Sequence, residues 1–220
     1  MIKILYVGNK LDSKKANISS IHALGALLGA EGFDMSYASS KNNKVLRLLD
    51  MIWSCFSLSR NVDFVLIDTY STINFYYALI ISQLCRMLNL KYIPILHGGN
   101  LPNRLKQNPK LSHHIFKHAY KNVSPSLFLK AEFKKYGYDD IAFIPNAIEM
   151  ENYAFKEKEF ETINLLWVRS FSEIYNPSLT IEVLAELKKQ GYTAKLCMVG
   201  PDSDGSLQTA KQLAKSLNVE

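Results

Sequence analysis

No stretch of the 220-residue chain is apolar for long enough to cross a bilayer. The longest run, residues 75–81, stops at Ser82 and Gln83, where a span needs about 18 or more such residues. The N-terminus, MIKILYVGNK, is apolar only briefly and no small-residue cleavage site follows; a secretory leader is not expected, and the chain is expected to begin at Met1 and work in the cytoplasm. Cysteine is scarce: Cys55, Cys85 and Cys197 are far apart, with no CxxC and no Cys/His ligand spacing, which argues against a disulfide framework and a zinc ribbon. All three are expected to be buried, reduced thiols. With 10 Gly and 7 Pro the chain is no fibre, and at 48% apolar against 21% charged it is no disordered tail. Two phosphate-binding signatures are also missing. The first loop reads GNKLDS where a dinucleotide site needs GxGxxG, and GxxxxGK[ST] does not occur.

Positive charge is plentiful. Against 20 Asp+Glu stand 26 Lys+Arg, a formal charge of +6 and a pI of about 9.1. Such an excess favours an anionic partner: nucleic acid, acidic lipid or a phosphorylated small molecule. No helix-turn-helix, RRM or OB signature accompanies it, so nucleic acid is not an expected partner.

Hydrophobic periodicity predicts strands over residues 2–7, 33–38, 62–68, 92–96, 122–124 and 141–144. Between them it predicts helices over 45–58, 75–88, 111–120 and from Pro125-Ser126 to Tyr136, and one passing through Ile21, Leu24 and Leu28, capped by Ser19 or Ser20. Strand alternating with helix means a parallel sheet covered by helices, an α/β doubly wound domain over residues 1–150. Residues 151–162 read as a charged connector. The rhythm restarts with a strand at 163–168, a helix at 177–190, a strand at 194–199 and a helix at 207–217. A two-stranded parallel sheet cannot cover its own faces, so 163–220 are expected to be the start of a second Rossmann-like domain.

In an open parallel sheet ligands bind beyond the carboxyl ends of the strands. Gly8-Asn9, Asp68-Thr69, His97-Gly98-Gly99, Arg169-Ser170 and Gly200-Pro201 all stand there. Glycine at such a place lets backbone N–H groups approach a phosphate. His97 at a strand end is placed to orient a hydroxyl or share a developing charge.

Three segments carry a resemblance. HGGNLP at 97–102, VSPSLFLKAEFKKYGY with IPNAIE at 123–138 and 144–149, and LLWVRSFSEIYNP at 165–177 together resemble a family-4 glycosyltransferase of GT-B architecture, in which two Rossmann-like domains face each other across a cleft. The resemblance implies transfer of a sugar, with retention, from a nucleotide-diphosphate-sugar donor to a glycan or lipid-linked acceptor in polysaccharide or glycolipid synthesis, with no cofactor and no metal. It implies that His97 lies by the transferred sugar as the catalytic residue, that Arg169 and Gly200 bind the donor, and that Gly8, Asn9, Asp68, Gly98 and Gly99 bind substrate. It also implies an N-terminal acceptor domain resting on an anionic membrane face, through Lys10, Lys14, Lys15, Lys117, Lys121, Lys130, Lys134 and Lys135, hence a cytoplasmic enzyme peripheral at the inner face. The family's second donor cation, a Lys, is replaced by Ile174 or Tyr175, and its downstream E-x₇-E segment does not occur before Glu220. The chain is therefore expected to have a partial donor domain and to transfer sugar poorly by itself; a non-catalytic binding module is the alternative. An epimerase of similar architecture is disfavoured by the three segments. Asp202-Ser203-Asp204 has a metal-binding DxD form, but within GPDSDG it reads as a plain turn. His113, His114 and His118 read as part of a basic helix.

Overall fold

The computed structural model describes residues 1–11, 20–146, 154–157 and 162–220. These fall into two compact units, Met1–Asn152 and Tyr153–Glu220. The first unit runs β1 (Lys3–Val7), α1 (Ser20–Ala30), β2 (Asp34–Ala38), α2 (Lys44–Ser57), β3 (Phe64–Thr69), α3 (Asn74–Met87), β4 (Lys91–Leu96), α4 (Leu101–Gln107), α5 (Pro109–Phe116), β5 (Asn122–Ser124), α6 (Leu127–Lys135) and β6 (Ile141–Phe143). Its six strands form one parallel sheet in the order β2-β1-β3-β4-β5-β6. The chain leaves β1 toward β2 on one side and resumes at β3 on the other, so the strand order reverses between β1 and β3. That reversal opens a crevice at the carboxyl ends of β1 and β3.

The central strands are apolar on both faces because both are covered. On one face Leu5, Val7, Val65, Ile67, Tyr92 and Leu96 pack against helices α2 to α6 in the main core. On the other, Ile4, Tyr6, Leu66 and Ile95 pack with Ile21, Leu24 and Leu28 of α1 in a smaller core. The aromatic end of the main core is built on Phe133, whose ring meets Phe116 edge-on at 4.9 Å and Tyr138 at 5.8 Å.

Several local boundaries differ from the periodicity. The segment after His97 is not a plain loop but α4, followed at once by α5, so the helix expected over 111–120 begins at Pro109 and ends at Phe116. Pro102 and Pro109 each sit in the first turn of their helix, where the missing N–H costs nothing. Ser20 is the first residue of α1, and the alternative cap Ser19 lies outside the described residues. Asn43 caps α2, accepting from the amides of Val45 and Leu46 at 2.9 and 3.2 Å. Ser126 caps α6 through the Leu129 amide.

The second unit contains β7 (Ile163–Val168), a 3-10 turn at Glu173–Tyr175, α7 (Pro177–Lys189), β8 (Ala194–Val199) and α8 (Ser206–Ser216). Strands β7 and β8 pair in parallel as a two-stranded sheet. Helices α7 and α8 cover one face of it, where Ile181, Leu184, Ala194 and Ala210 are buried. Leu166, Val168 and Val199 on the other face are more than half exposed. This corrects one expectation: Cys55 and Cys85 are buried and free, but Cys197 is exposed. Side chains alternate along β8, and Cys197 falls on the face that neither α7 nor α8 covers.

Phe133→Ala is expected to lower the stability of the first unit by about 3–5 kcal/mol, the usual cost of emptying a packed aromatic site. Urea unfolding followed by circular dichroism measures it.

Candidate functional site

The crevice at the strand-order reversal is lined by the parity of its strands. Tyr6 and Gly8 follow one face of β1, Asp68 that face of β3, and His97 the same face just beyond β4, because every second residue points the same way. The register holds Val7 opposite Ile67 and Thr69 opposite Leu96, and the His97 amide continues the ladder by donating to the Thr69 carbonyl at 2.9 Å. Strand pairing, with no help from loops, thus delivers Gly8, Asp68 and His97 to one place.

Asp68 is the centre of the arrangement. It is 5% exposed, and its Oδ1 accepts from the Tyr6 hydroxyl at 2.9 Å and lies 2.9 Å from His97 Nε2. A buried carboxylate is tolerated only when donors replace its lost water. An ionised Asp68 can only accept, so Nε2 then carries a proton, and in the neutral imidazole His97 Nδ1 is the acceptor. The His97 ring, 6% exposed, is stacked on Tyr70 with centroids 4.8 Å apart and planes 18° from parallel. Burial, with the nearby Asp68 charge second, pushes the Tyr6 hydroxyl far above the usual tyrosine range, so it remains a donor. Burial and the same charge raise Tyr70 as well.

Gly8 is required by contact. A β-carbon there would stand 2.6 Å from Asp68 Oδ2 and 3.2 Å from Ile21. Gly98, next to His97, has φ +80°, a left-handed conformation suited to glycine, and turns the chain into α4. Gly99 faces no crowding. Asn9 plays a different part. Its Oδ1 accepts from Arg47 Nη1 at 3.0 Å, which ties the loop after β1 to α2.

In the second unit Arg169 follows β7 and is exposed, its guanidinium 5.3 Å from the centre of the Tyr175 ring. Among the described residues it makes no ion pair. Gly200 is dictated by packing: a β-carbon there would fall 1.5 Å from the Arg169 carbonyl oxygen. Asp202 and Asp204 are committed to the turn. Asp202 accepts from the Gly205 amide at 3.0 Å, and Asp204 from the Ser172 hydroxyl and the Glu173 amide at 2.8 and 2.9 Å and from Ser206. These bonds, that of the Ser206 hydroxyl foremost, hold the Asp204 carboxyl down at about 2. Among the described residues no group of three His, Cys, Asp or Glu is placed to hold a metal ion.

The structure therefore gathers Gly8, Asp68, His97 and Gly98 at one edge, turns Asn9 toward α2, and keeps Arg169 and Gly200 in the second unit. Sequence reasoning missed Tyr6 and Tyr70. The signal for Tyr6 was its parity with Gly8 on the same strand.

No family model matches the sequence, and no curated protein matches it. Solved structures do. A glycosyltransferase from Rickettsia africae is 15% identical, aligning over 99% of this chain and 66% of its own with a TM-score of 0.58. The fold is GT-B-like. An alpha-glucosyltransferase in complex with UDP and DNA (12% identical, 96% of this chain, 59% of its own, TM-score 0.55) shares it. So does a UDP-N-acetylglucosamine 2-epimerase from Methanocaldococcus jannaschii (12%, 99% and 69%, TM-score 0.53). The chain spans 59–69% of the length of these three. Transferases and an epimerase thus share this architecture, and the fold alone does not choose between their chemistries.

Two outcomes follow from the geometry. Gly200→Ala is expected to prevent the second unit from folding, whereas Gly8→Ala leaves the first unit folded but less stable by about 1–3 kcal/mol as Asp68 is displaced; thermal unfolding distinguishes them. The raised Tyr6 hydroxyl adds stability that is complete below pH 10 and declines as pH rises above the unfolded tyrosine value. Unfolding free energy is expected to fall with pH above about 10, less steeply in Tyr6→Phe, as read by urea titrations at successive pH values.

Proposed function

We propose that this chain belongs to a retaining glycosyltransferase, moving a sugar from a nucleotide-diphosphate donor to a hydroxyl of a glycan or lipid-linked acceptor at an anionic membrane face. The observation that carries the reading is the buried Tyr6–Asp68–His97 cluster at the strand-order reversal. In the transfer the acceptor oxygen bonds to the anomeric carbon and gives up its proton to the departing diphosphate oxygen. The bond from that carbon to the diphosphate breaks, and the diphosphate keeps the electron pair. His97, its ring fixed by Asp68 and Tyr70, presents Nδ1 to the hydroxyl groups of the sugar or the acceptor. Gly98 and Gly99 admit substrate against the backbone beside it. In the second unit Arg169, exposed and steadied by Tyr175, supplies positive charge to the departing diphosphate.

A second reading, a nucleotide-sugar-binding module without turnover, is favoured by one observation. Ile174 or Tyr175 stands where the resemblance places a second cation, and Tyr175 is occupied as the platform for Arg169. These two readings, and epimerase chemistry, differ in what a nucleotide-sugar panel returns. A transferase releases nucleoside diphosphate only when an acceptor is present, an epimerase converts donor without acceptor, and a binding module binds UDP without consuming any donor. For the transferase, His97→Ala is expected to lower kcat/KM by about a hundredfold. Arg169→Ala is expected to weaken UDP binding about tenfold, the worth of one charge-assisted hydrogen bond. Turnover unchanged by His97→Ala would remove the assignment of His97.

A further inference from the structure

Helix α2 is apolar on both sides: Met51 and Cys55 lie in the core with Leu48 and Ile52 packed against it, and its outer side is apolar too. Along it Val45, Leu46, Leu49, Trp53 and Phe56 face outward, from 54% exposed at Leu49 to 69% at Trp53, while Arg47 is buried with Met51 and Cys55. Positions 45, 49, 53 and 56 recur at helical spacing and form one stripe. A surface helix of a protein that meets only water carries polar side chains on its outer side.

This orientation is anchored. The Arg47 guanidinium donates to the carbonyls of Lys41 and Asn42 at 2.8 and 3.1 Å and to Asn9 Oδ1 at 3.0 Å. The Tyr77 hydroxyl of α3 donates to the Lys44 carbonyl at 3.0 Å. Rotating α2 to bury its stripe would break these bonds and bring a guanidinium out of its site, so the apolar face is held outward by the rest of the unit. Beside it α3 adds exposed Ile80 and Met87, and an open groove of about 640 Å³, bordered by Ile52, Leu79, Leu84 and Leu111, continues the apolar surface toward α5.

The surrounding charge is of one sign. Exposed Lys41 and Lys44 precede the stripe and exposed Arg60 follows it, and the only acid from 41 to 60 is the half-buried Asp50. On α3, which packs against α2, exposed Arg86 stands beside Met87, and α3, α4 and α5 contain no Asp or Glu. Two copies meeting through this face would oppose like charges. An anionic bilayer satisfies both features, its acyl region taking the Trp, Phe and Leu side chains and its headgroups the cations.

We infer that α2 is a membrane-docking helix, lying in the interface of an anionic bilayer with Leu49, Trp53 and Phe56 inserted and Lys41, Lys44 and Arg60 on the headgroups. This differs from the lysines that the family resemblance selected. Of those, Lys121 is paired with Asp140, Lys135 with Glu132, Lys10 lies over the Tyr37 ring, and Lys14 and Lys15 lie outside the described residues. The inference rests on the membrane-facing part of the function proposed above and not on its chemistry. Loss of sugar transfer with vesicle binding intact, or the reverse, separates the two.

The test is co-sedimentation of the full chain with vesicles of phosphatidylcholine alone and of phosphatidylcholine mixed with equal parts phosphatidylglycerol, without nucleotide sugar. Binding is expected at least about tenfold tighter to the acidic vesicles, weakening as salt is raised. Trp53→Ser with Phe56→Ser is expected to reduce it by about tenfold or more, as is Lys41→Gln with Lys44→Gln and Arg60→Gln. In a Trp167→Phe background, where Trp53 is the remaining tryptophan, its emission is expected to shift to the blue on adding acidic vesicles. No binding, equal binding to both vesicles, or binding untouched by the Trp53 and Phe56 changes overturns the proposal. So does a dimer in sedimentation velocity that Trp53→Ser dissociates, which would make a second copy the occupant.

Discussion

A carboxylate taken out of water must be given donors, and the first unit is arranged around that requirement. Asp68 ends a strand buried on both faces, so its charge cannot escape to solvent and is met instead by Tyr6 and His97 from the two neighbouring strands. Glycine at position 8 leaves the space the carboxylate fills. The parallel pairing of β1, β3 and β4 is what allows one atom, Oδ1, to be reached from both sides. The same constraint fixes the imidazole: its ring is clamped by a hydrogen bond at Nε2 and by the face of Tyr70, which is the preorganisation that acid-base or hydrogen-bonding chemistry needs.

The two faces of the sheet are dressed unequally. Among the described residues, helices α2 to α6 lie over one face and α1 over the other. Within the thicker layer, α2 uses an internal guanidinium to hold its own polar anchor inward, which leaves its aromatic side outward. Asn9 connects these features. It follows Gly8 just beyond β1, yet its amide oxygen serves Arg47, so adjacent residues join the candidate site to the exposed helix.

Much of the β/α order was readable because parallel strands covered on both faces are near-continuous apolar runs, as in residues 64–67 and 92–96. The three-residue strand at 122–124 was readable from its flanking helix signals. The α4–α5 break was not, because Pro102 and Pro109 signal an interruption equally well in a loop or at a helix start. Asp68 and His97 were legible as strand-end residues. Their partnership was not, since 29 residues separate them and only strand register places them 2.9 Å apart. Cys197 was misjudged because an apolar strand has two faces, and composition does not say which of them a helix covers.

The sequence by itself determined the α/β rhythm, the glycines at strand ends and the excess of positive charge, all properties of local spacing and residue type. Tertiary structure decided which atom of Asp68 meets Tyr6 and His97, why position 200 admits no side chain, and that Arg47 turns inward while Trp53 turns out. Those depend on contacts between residues distant along the chain, where register, burial and hydrogen-bond supply choose between orientations that the local pattern leaves equal.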